Sequence, residues 1–232
     1  AKISDSISNK KYLLSLGPTG SNAIEGSNVN SLHFLGKEKN SFSNSSYTNK
    51  EILKKRSSLK TFLEIDQFST NKIIDLKKNL KKLPSNIQRP KGQLAKQTST
   101  ALQIINSDSP PTFIQMELGG FDTHTNQITR QNKLLKELSE NIYFLKNGAE
   151  KLNKNIELNI VVTSEFGRRL KENGSNGTDH GSASVAFLVG DAFNEQFIGE
   201  YPDLKNLDNR GDLIPNISPS YLYDYIQKKI WG

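Results

Sequence analysis

The 232-residue sequence predicts an α/β fold, a mostly parallel sheet flanked by helices. Three observations predict it. Thr112–Leu118 (TFIQMEL) and Glu157–Ser164 (ELNIVVTS) are short apolar runs, the second rich in β-branched residues. Between them, Asn126–Leu152 carries Leu134, Leu135, Leu138, Ile142 and Leu145 at helical spacing, directed inward. A strand, a long helix and a second strand in succession make a crossover unit with parallel neighbours.

Residues 1–50 are rich in Ser, Asn and Gly and read as mostly irregular, with Tyr12–Leu16 and Leu32–Leu35 as edge strands or loop anchors. Residues 51–107 read as a helical segment. In 51–83, Ile52, Leu53, Leu59, Phe62, Leu63, Ile73, Ile74, Leu76 and Leu80 recur at helical spacing. A break is expected near Ser69–Thr70–Asn71, and Pro84 and Pro90 end the run. Lys91–Asn106 is a further helix with Leu94, Thr98, Ala101, Leu102 and Ile105 on one face. Residues 110–232 form the α/β part, where Ser184–Val189 (SVAFLV) is a third strand. Ser218–Ile230 is a closing helix with Tyr221, Leu222, Tyr225, Ile226 and Ile230 inward. The whole reads as a single domain. It starts at Ala1, and Ala1–Lys11 holds no apolar run of signal-peptide length, so the chain reads as processed, trimmed or incomplete at its N-terminus.

Hydrophobic residues at 34% and charged residues at 24% are polar for a globular chain, yet outside the disordered range. There is no cysteine, which excludes disulfides and thiol catalysis without choosing a compartment. No stretch approaches the length of a membrane helix. The net charge of +7 goes with a lysine-rich composition on helix surfaces. The densest basic stretch, Lys77–Lys82, alternates with Leu76, Leu80 and Leu83 and reads as a solvated helix face, so no nucleic-acid partner is expected.

Ligand sites in open α/β sheets lie beyond the carboxyl ends of strands. At those places stand Gly119-Gly120-Phe121-Asp122-Thr123-His124, then Ser164-Glu165-Phe166-Gly167-Arg168-Arg169, then Asn173 through Gly181 with Asp179 and His180. Two of the chain's three histidines fall here, each near an aspartate. Imidazole with carboxylate is the ligand set of zinc, manganese or iron. Asp122, His124, Glu165, Asp179 and His180 are therefore the candidate metal ligands. Asp122 also suits a cap of the following helix, and Asp179 the closing of a glycine turn. Arg168 and Arg169 are candidates for holding a phosphate or sulfate oxygen, with a plain salt bridge as the alternative. His33, between Leu32 and Phe34, reads as structural.

The motifs GGFDTH, TSEFGRR and ENGSNGTDHG, in this order, resemble the domain of unknown function 1501 family, abundant among exported bacterial proteins. The likeness covers residues 110–232 well and the first hundred loosely. Phe121 stands where the family usually has Trp. That family is similar to the alkaline-phosphatase-like superfamily, whose enzymes use one or two metal ions at the carboxyl edge of a mostly parallel sheet.

The resemblance implies that Asp122, His124 and His180 share one divalent ion and that Asp179 ligates or orients His180. Glu165 lies where the superfamily often has an Asp-His pair, but Phe166 comes after it here. The superfamily's early strand carrying a nucleophilic Ser or Thr has no equivalent in residues 1–50, and Gly17–Gly20 (GPTG) is preceded by no convincing core strand.

The function expected from the resemblance is a metal-dependent hydrolase of phosphate or sulfate esters, exported to the periplasm or beyond. Arg168 would be its charge-neutralising catalytic group, and Arg168 with Arg169 would bind the small-molecule or polymer ester. The nucleophile is not visible in the chain. A non-catalytic exported binding module on the same fold is the alternative.

Overall fold

The computed structural model describes residues 13–17, 31–33, 67, 70–152, 155–195 and 197–232. The whole segment 51–66, the side chain of His33, and Tyr12, Phe34 and Leu35 lie outside the described residues. The chain divides into two compact units, one of Ala1–Ser85 with Lys96–Glu117, the other of Asn86–Ala95 with Leu118–Gly232.

In the first unit, Leu13–Ser15 (β1) is buried along its whole length. It pairs in parallel with Ser31–His33 (β2) on one side and Phe113–Gln115 (β3) on the other. Leu14 stands opposite Leu32 and Ile114. A strand with parallel neighbours on both sides is the expected place for an unbroken apolar run. Tyr12–Leu16 therefore supplies a central strand, and the expectation of an edge strand is corrected. Gly17 does come after a core strand, which also corrects the reading of the GPTG segment; Pro18–Gly20 lie outside the described residues. Beyond β1, the Leu16 N–H donates to the Gln115 carbonyl at 2.9 Å. The Gln97 side chain both donates to the Glu117 carbonyl and accepts from its N–H, at 2.7 and 2.9 Å, as a strand neighbour would.

Residues 70–79 are helical and stop five residues before Pro84. Leu94–Ile105 (α1) buries Leu94, Thr98, Ala101, Leu102 and Ile105, the face its spacing predicts, together with Ile104. Its first N–H, from Leu94, donates to Glu137 Oε1 at 2.8 Å. A carboxylate there meets both an orphan donor and the positive end of the helix dipole.

The second unit is built on Gln127–Glu150 (α2). Its buried face is Asn141, Phe144, Leu145, Gly148 and Ala149, displaced from the leucine stripe that the spacing favours. Leu135 is exposed, and Leu134, Leu138 and Ile142 are half-buried. The fully buried Asn141 is satisfied within the helix, donating to the Glu137 carbonyl at 2.8 Å.

Ile160–Val162 (β4) pairs antiparallel with Phe187–Val189 (β7). The crossover expected from β3 through α2 to a parallel β4 is thus not formed among the described residues. The fold is α/β in mixing helices with small sheets, and its parallel part is the three-stranded sheet β2-β1-β3. Gly167–Glu172 (β5) and Thr178–Gly181 (β6) make an antiparallel hairpin with a register irregularity between Arg168 and Glu172. Arg168, Arg169, Asp179 and His180, expected beyond the ends of strands, thus stand within strands.

Pro219–Trp231 (α3) starts where expected. Ser218 caps it, accepting from the Tyr221 N–H at 3.2 Å, with Pro219 in the first turn. Ile226 is its buried residue; Tyr221, expected inward, is exposed. Lys229 and Tyr225, one turn apart, both donate to the Glu195 carboxylate. The Lys229 bond, then the Tyr225 bond, hold the Glu195 carboxyl down to about 2.

A folded value below the unfolded one means stability present above about 4.5 and lost as pH falls toward about 2. Glu195→Gln is expected to melt below the wild type at neutral pH, with the gap closing across that acid window. Thermal melts of both proteins over the range check it; a gap that stays constant down to the acid end contradicts it.

Candidate metal centre

Asp122 and His124 stand on the segment between β3 and α2, and His180 on β6. Gln127 N and Asn126 N, at the start of α2, donate to the carbonyls of Asn176 and Ser175, at 2.9 and 3.1 Å. The N-cap residue of α2 is Asn126, not Asp122, and its N–H and that of Gln127 are met by the turn of the β5–β6 hairpin. Asn173 ties the turn further. Its Nδ2 donates to the His124 carbonyl at 3.0 Å, while its Oδ1 accepts from Ser175 N and Gly177 N. Thr178 Oγ1 donates to Gln127 Oε1 at 2.9 Å.

Gly177 is where the two segments come closest. A methyl group added there would lie 2.4 Å from the His124 carbonyl oxygen and 2.5 Å from its carbon. Both atoms are backbone and cannot swing aside. Gly177→Ala is therefore expected to cost about 1–3 kcal/mol of stability through overpacking. It should also part His124 from His180. Chemical denaturation measures the first effect and metal titration the second; an unchanged midpoint rules the clash out.

Arg168 is the main fastener. From β5 its Nη2 donates to the Phe121 carbonyl at 2.6 Å and to Thr123 Oγ1 at 3.3 Å, and its Nη1 donates to the Thr178 carbonyl. One guanidinium thus grips the residues on either side of Asp122 and the strand of His180. The same cation lies 5.2 Å from the centre of the Phe166 ring. Phe166 stacks on His180 with centroids 3.9 Å apart and planes 10° from parallel. His180 in turn stacks on His124 at 4.9 Å.

These constraints bring three donors together. His124 Nε2 and His180 Nε2 lie 2.9 and 2.8 Å from the same Asp122 Oδ1. Ligand atoms of Asp122, His124 and His180 all fall within 4.8 Å of one another, the one such group among the described residues. The side chains are 65%, 46% and 43% exposed, so the cluster opens to solvent. The His180 hydrogen bond holds the Asp122 carboxyl below its ordinary value. Partial desolvation opposes that shift, and the charges of both imidazoles add to it. An ionised carboxylate between two imidazoles is a donor set suited to a borderline divalent cation.

Asp179 stands at the other ring nitrogen of His124, its Oδ1 3.6 Å from Nδ1. A carboxylate on that side favours the proton on Nδ1 and leaves Nε2 as the ligand atom. The ion-pair neighbour of Asp179 is thus His124, where His180 or the ion itself was expected. Glu165, exposed two residues before β5, is not part of the group. Both arginines expected to hold an anion are engaged by the protein. Arg169 Nε donates to Asp212 Oδ1 at 2.9 Å.

Nothing in the sequence pattern singles out Asp212. Its side chain is 4% exposed, and its second oxygen accepts from Ser182 Oγ at 3.1 Å and faces Arg210 Nη2 at 3.3 Å. Asp212 thus braces β5 through Arg169 and the exit of β6 through Ser182. Nor do Asn173, Gln127 and Thr123 carry a signal of their own, since polar residues in loops are the norm.

A family model described as "Protein of unknown function (DUF1501)" matches residues 12–211. The matched stretch includes Asp122, His124, Arg168 and His180. No curated protein and no solved structure matches the chain.

Proposed function

The chain belongs to the DUF1501 family of proteins of unknown function, and from that membership and the cluster of Asp122, His124 and His180 we propose that it holds one divalent transition-metal ion in a hydrolase of phosphate or sulfate esters. The observation that carries this reading is the approach of both Nε2 atoms to one Asp122 oxygen on an open face. Three protein donors on a solvent-open face are the pattern of a catalytic rather than a structural zinc site. An ion bound there supplies Lewis acidity toward an ester oxygen.

The protein's own part is to fix the donors. Asp122 brings the negative charge, and Asp179 keeps His124 in the tautomer that offers Nε2. Phe166 covers one face of His180, and Arg168 sets the distance between the two segments. Zinc and manganese are the ions to try first. The order of the three motifs supports taking the domain as alkaline-phosphatase-like and the protein as exported. Among the described residues no helix is long and apolar enough to cross a membrane.

A second reading, a non-catalytic module that keeps the ion, draws on the engagement of Arg168 and Arg169 within the protein. One experiment separates them. The purified chain is analysed for metal, then assayed with p-nitrophenyl phosphate and p-nitrophenyl sulfate beside His124→Ala. Turnover lost in the variant supports the hydrolase. Metal retained by the wild type without turnover supports the module. A wild type that takes up no transition metal removes both.

A further inference from the structure

The net charge of the chain is concentrated. Residues 72–96 hold eight of its 31 Lys and Arg but one of its 24 Asp and Glu. The remaining 23 of each sign cancel, so this stretch of 25 residues carries the whole net charge of +7. Five of the eight cations, Lys72, Lys77, Lys78, Lys81 and Lys82, lie on the helical residues 70–79 and the three immediately after them, with Asp75 the one acid among them. Leu76 is buried and fixes one side of that helix to its unit. Lys78 and Lys82, four residues apart, are exposed; Lys81, also exposed, meets Asp108.

We propose that the lysine-rich residues 72–82, all within the first unit, are an electrostatic docking surface for a bilayer of anionic phospholipids. Clusters of four to eight basic residues on an amphipathic helix are drawn to anionic lipid, each cation near the surface adding to the attraction. The composition favours lipid over nucleic acid. Seven of the eight cations in 72–96 are lysine, and the stretch has no Phe, Tyr or Trp, whereas single-stranded nucleic acid is held on aromatic platforms and by arginine. Its apolar residues are aliphatic, and of the two isoleucines on the helix Ile74 is the more exposed, at 38%. Docking is therefore by charge on the surface, without insertion, and sensitive to salt. It is independent of the metal cluster and needs no spanning helix.

The test uses the full chain in co-sedimentation with vesicles of phosphatidylglycerol mixed into phosphatidylcholine, against vesicles of phosphatidylcholine alone. Binding is expected to the anionic vesicles at low salt and to fall as salt rises. The double variant Lys78→Glu with Lys82→Glu should lower the partition coefficient by about tenfold or more. Lys133→Glu with Lys205→Glu, an equal change of charge at exposed positions outside the stretch, should leave it within about twofold. Circular dichroism confirms that both variants fold. Equal losses in the two variants, equal binding to neutral vesicles, or tighter salt-matched binding to a DNA duplex that depends on Lys78 and Lys82 would each overturn the assignment.

Discussion

His180→Ala lowers the affinity for zinc or manganese by more than about a hundredfold, whereas Asp179→Asn lowers it by about 10- to 100-fold. The difference arises from where each group stands. His180 offers Nε2 directly, 2.8 Å from the Asp122 oxygen around which the donors gather. Without it two donors remain, and a divalent cation on one imidazole and one exposed carboxylate competes poorly with water. Asp179 touches no shared ligand atom; it faces the far nitrogen of His124 at 3.6 Å. Neutralising it leaves all three donors and removes only the bias toward one tautomer.

The measurement is competition with a chromophoric chelator, read beside thermal unfolding without metal. Both side chains are roughly half exposed, so neither change should shift the metal-free melting temperature by more than a degree or two. If Asp179→Asn proves as damaging as His180→Ala, Asp179 is a ligand and the tautomer account fails.

Arg168→Ala is expected to destabilise the fold by about 3 kcal/mol and to weaken metal binding with it. Its guanidinium serves the Phe121 and Thr178 carbonyls and Thr123 Oγ1. Bonds from a charged donor are each worth about 1.5–3 kcal/mol, although the Phe121 carbonyl keeps the Thr123 N–H at 2.8 Å. Arg168→Lys keeps the charge but not the fork, and one ammonium cannot reach three acceptors on two segments. It should recover less than half of the loss. An arginine acting only on a substrate anion would behave otherwise: stability and metal affinity would stay, and KM for an ester would rise. Denaturant titration with metal titration on the same preparations distinguishes the two, and unchanged stability in Arg168→Ala would restore the anion-binding role.

Local signals mark several elements well. Ser218-Pro219 and the spacing of Leu94, Thr98, Ala101, Leu102 and Ile105 place two helices within a few residues, because caps and one-sided burial leave marks that short windows can read. The β5–β6 hairpin leaves none. Its strands, GRRLKE and TDHG, are largely exposed, so no alternation of apolar and polar residues records the pairing. The partner of β4 is hidden for a related reason: an apolar run announces a strand but not which neighbour, or which direction, it takes. The central place of β1 is equally hidden, because three residues are too few to show a period.

The sequence by itself determined the chemistry on offer: two imidazoles, each with a carboxylate nearby, on glycine-bearing segments, in a chain without thiols and with its net positive charge gathered in one stretch. Only the tertiary structure decided which donors meet. Asp122 and His180 are 58 residues apart, and their distance is set by an unmarked hairpin, by the turn carbonyls that receive the N–H groups of α2, and by one arginine bonded to both segments. Those bonds are long-range and directional, made by residue types common in any loop, so their partners are specified by the folded backbone and not by spacing along the chain. The same backbone turned Asp179 toward His124, left Glu165 outside the cluster, and made Arg168 a brace.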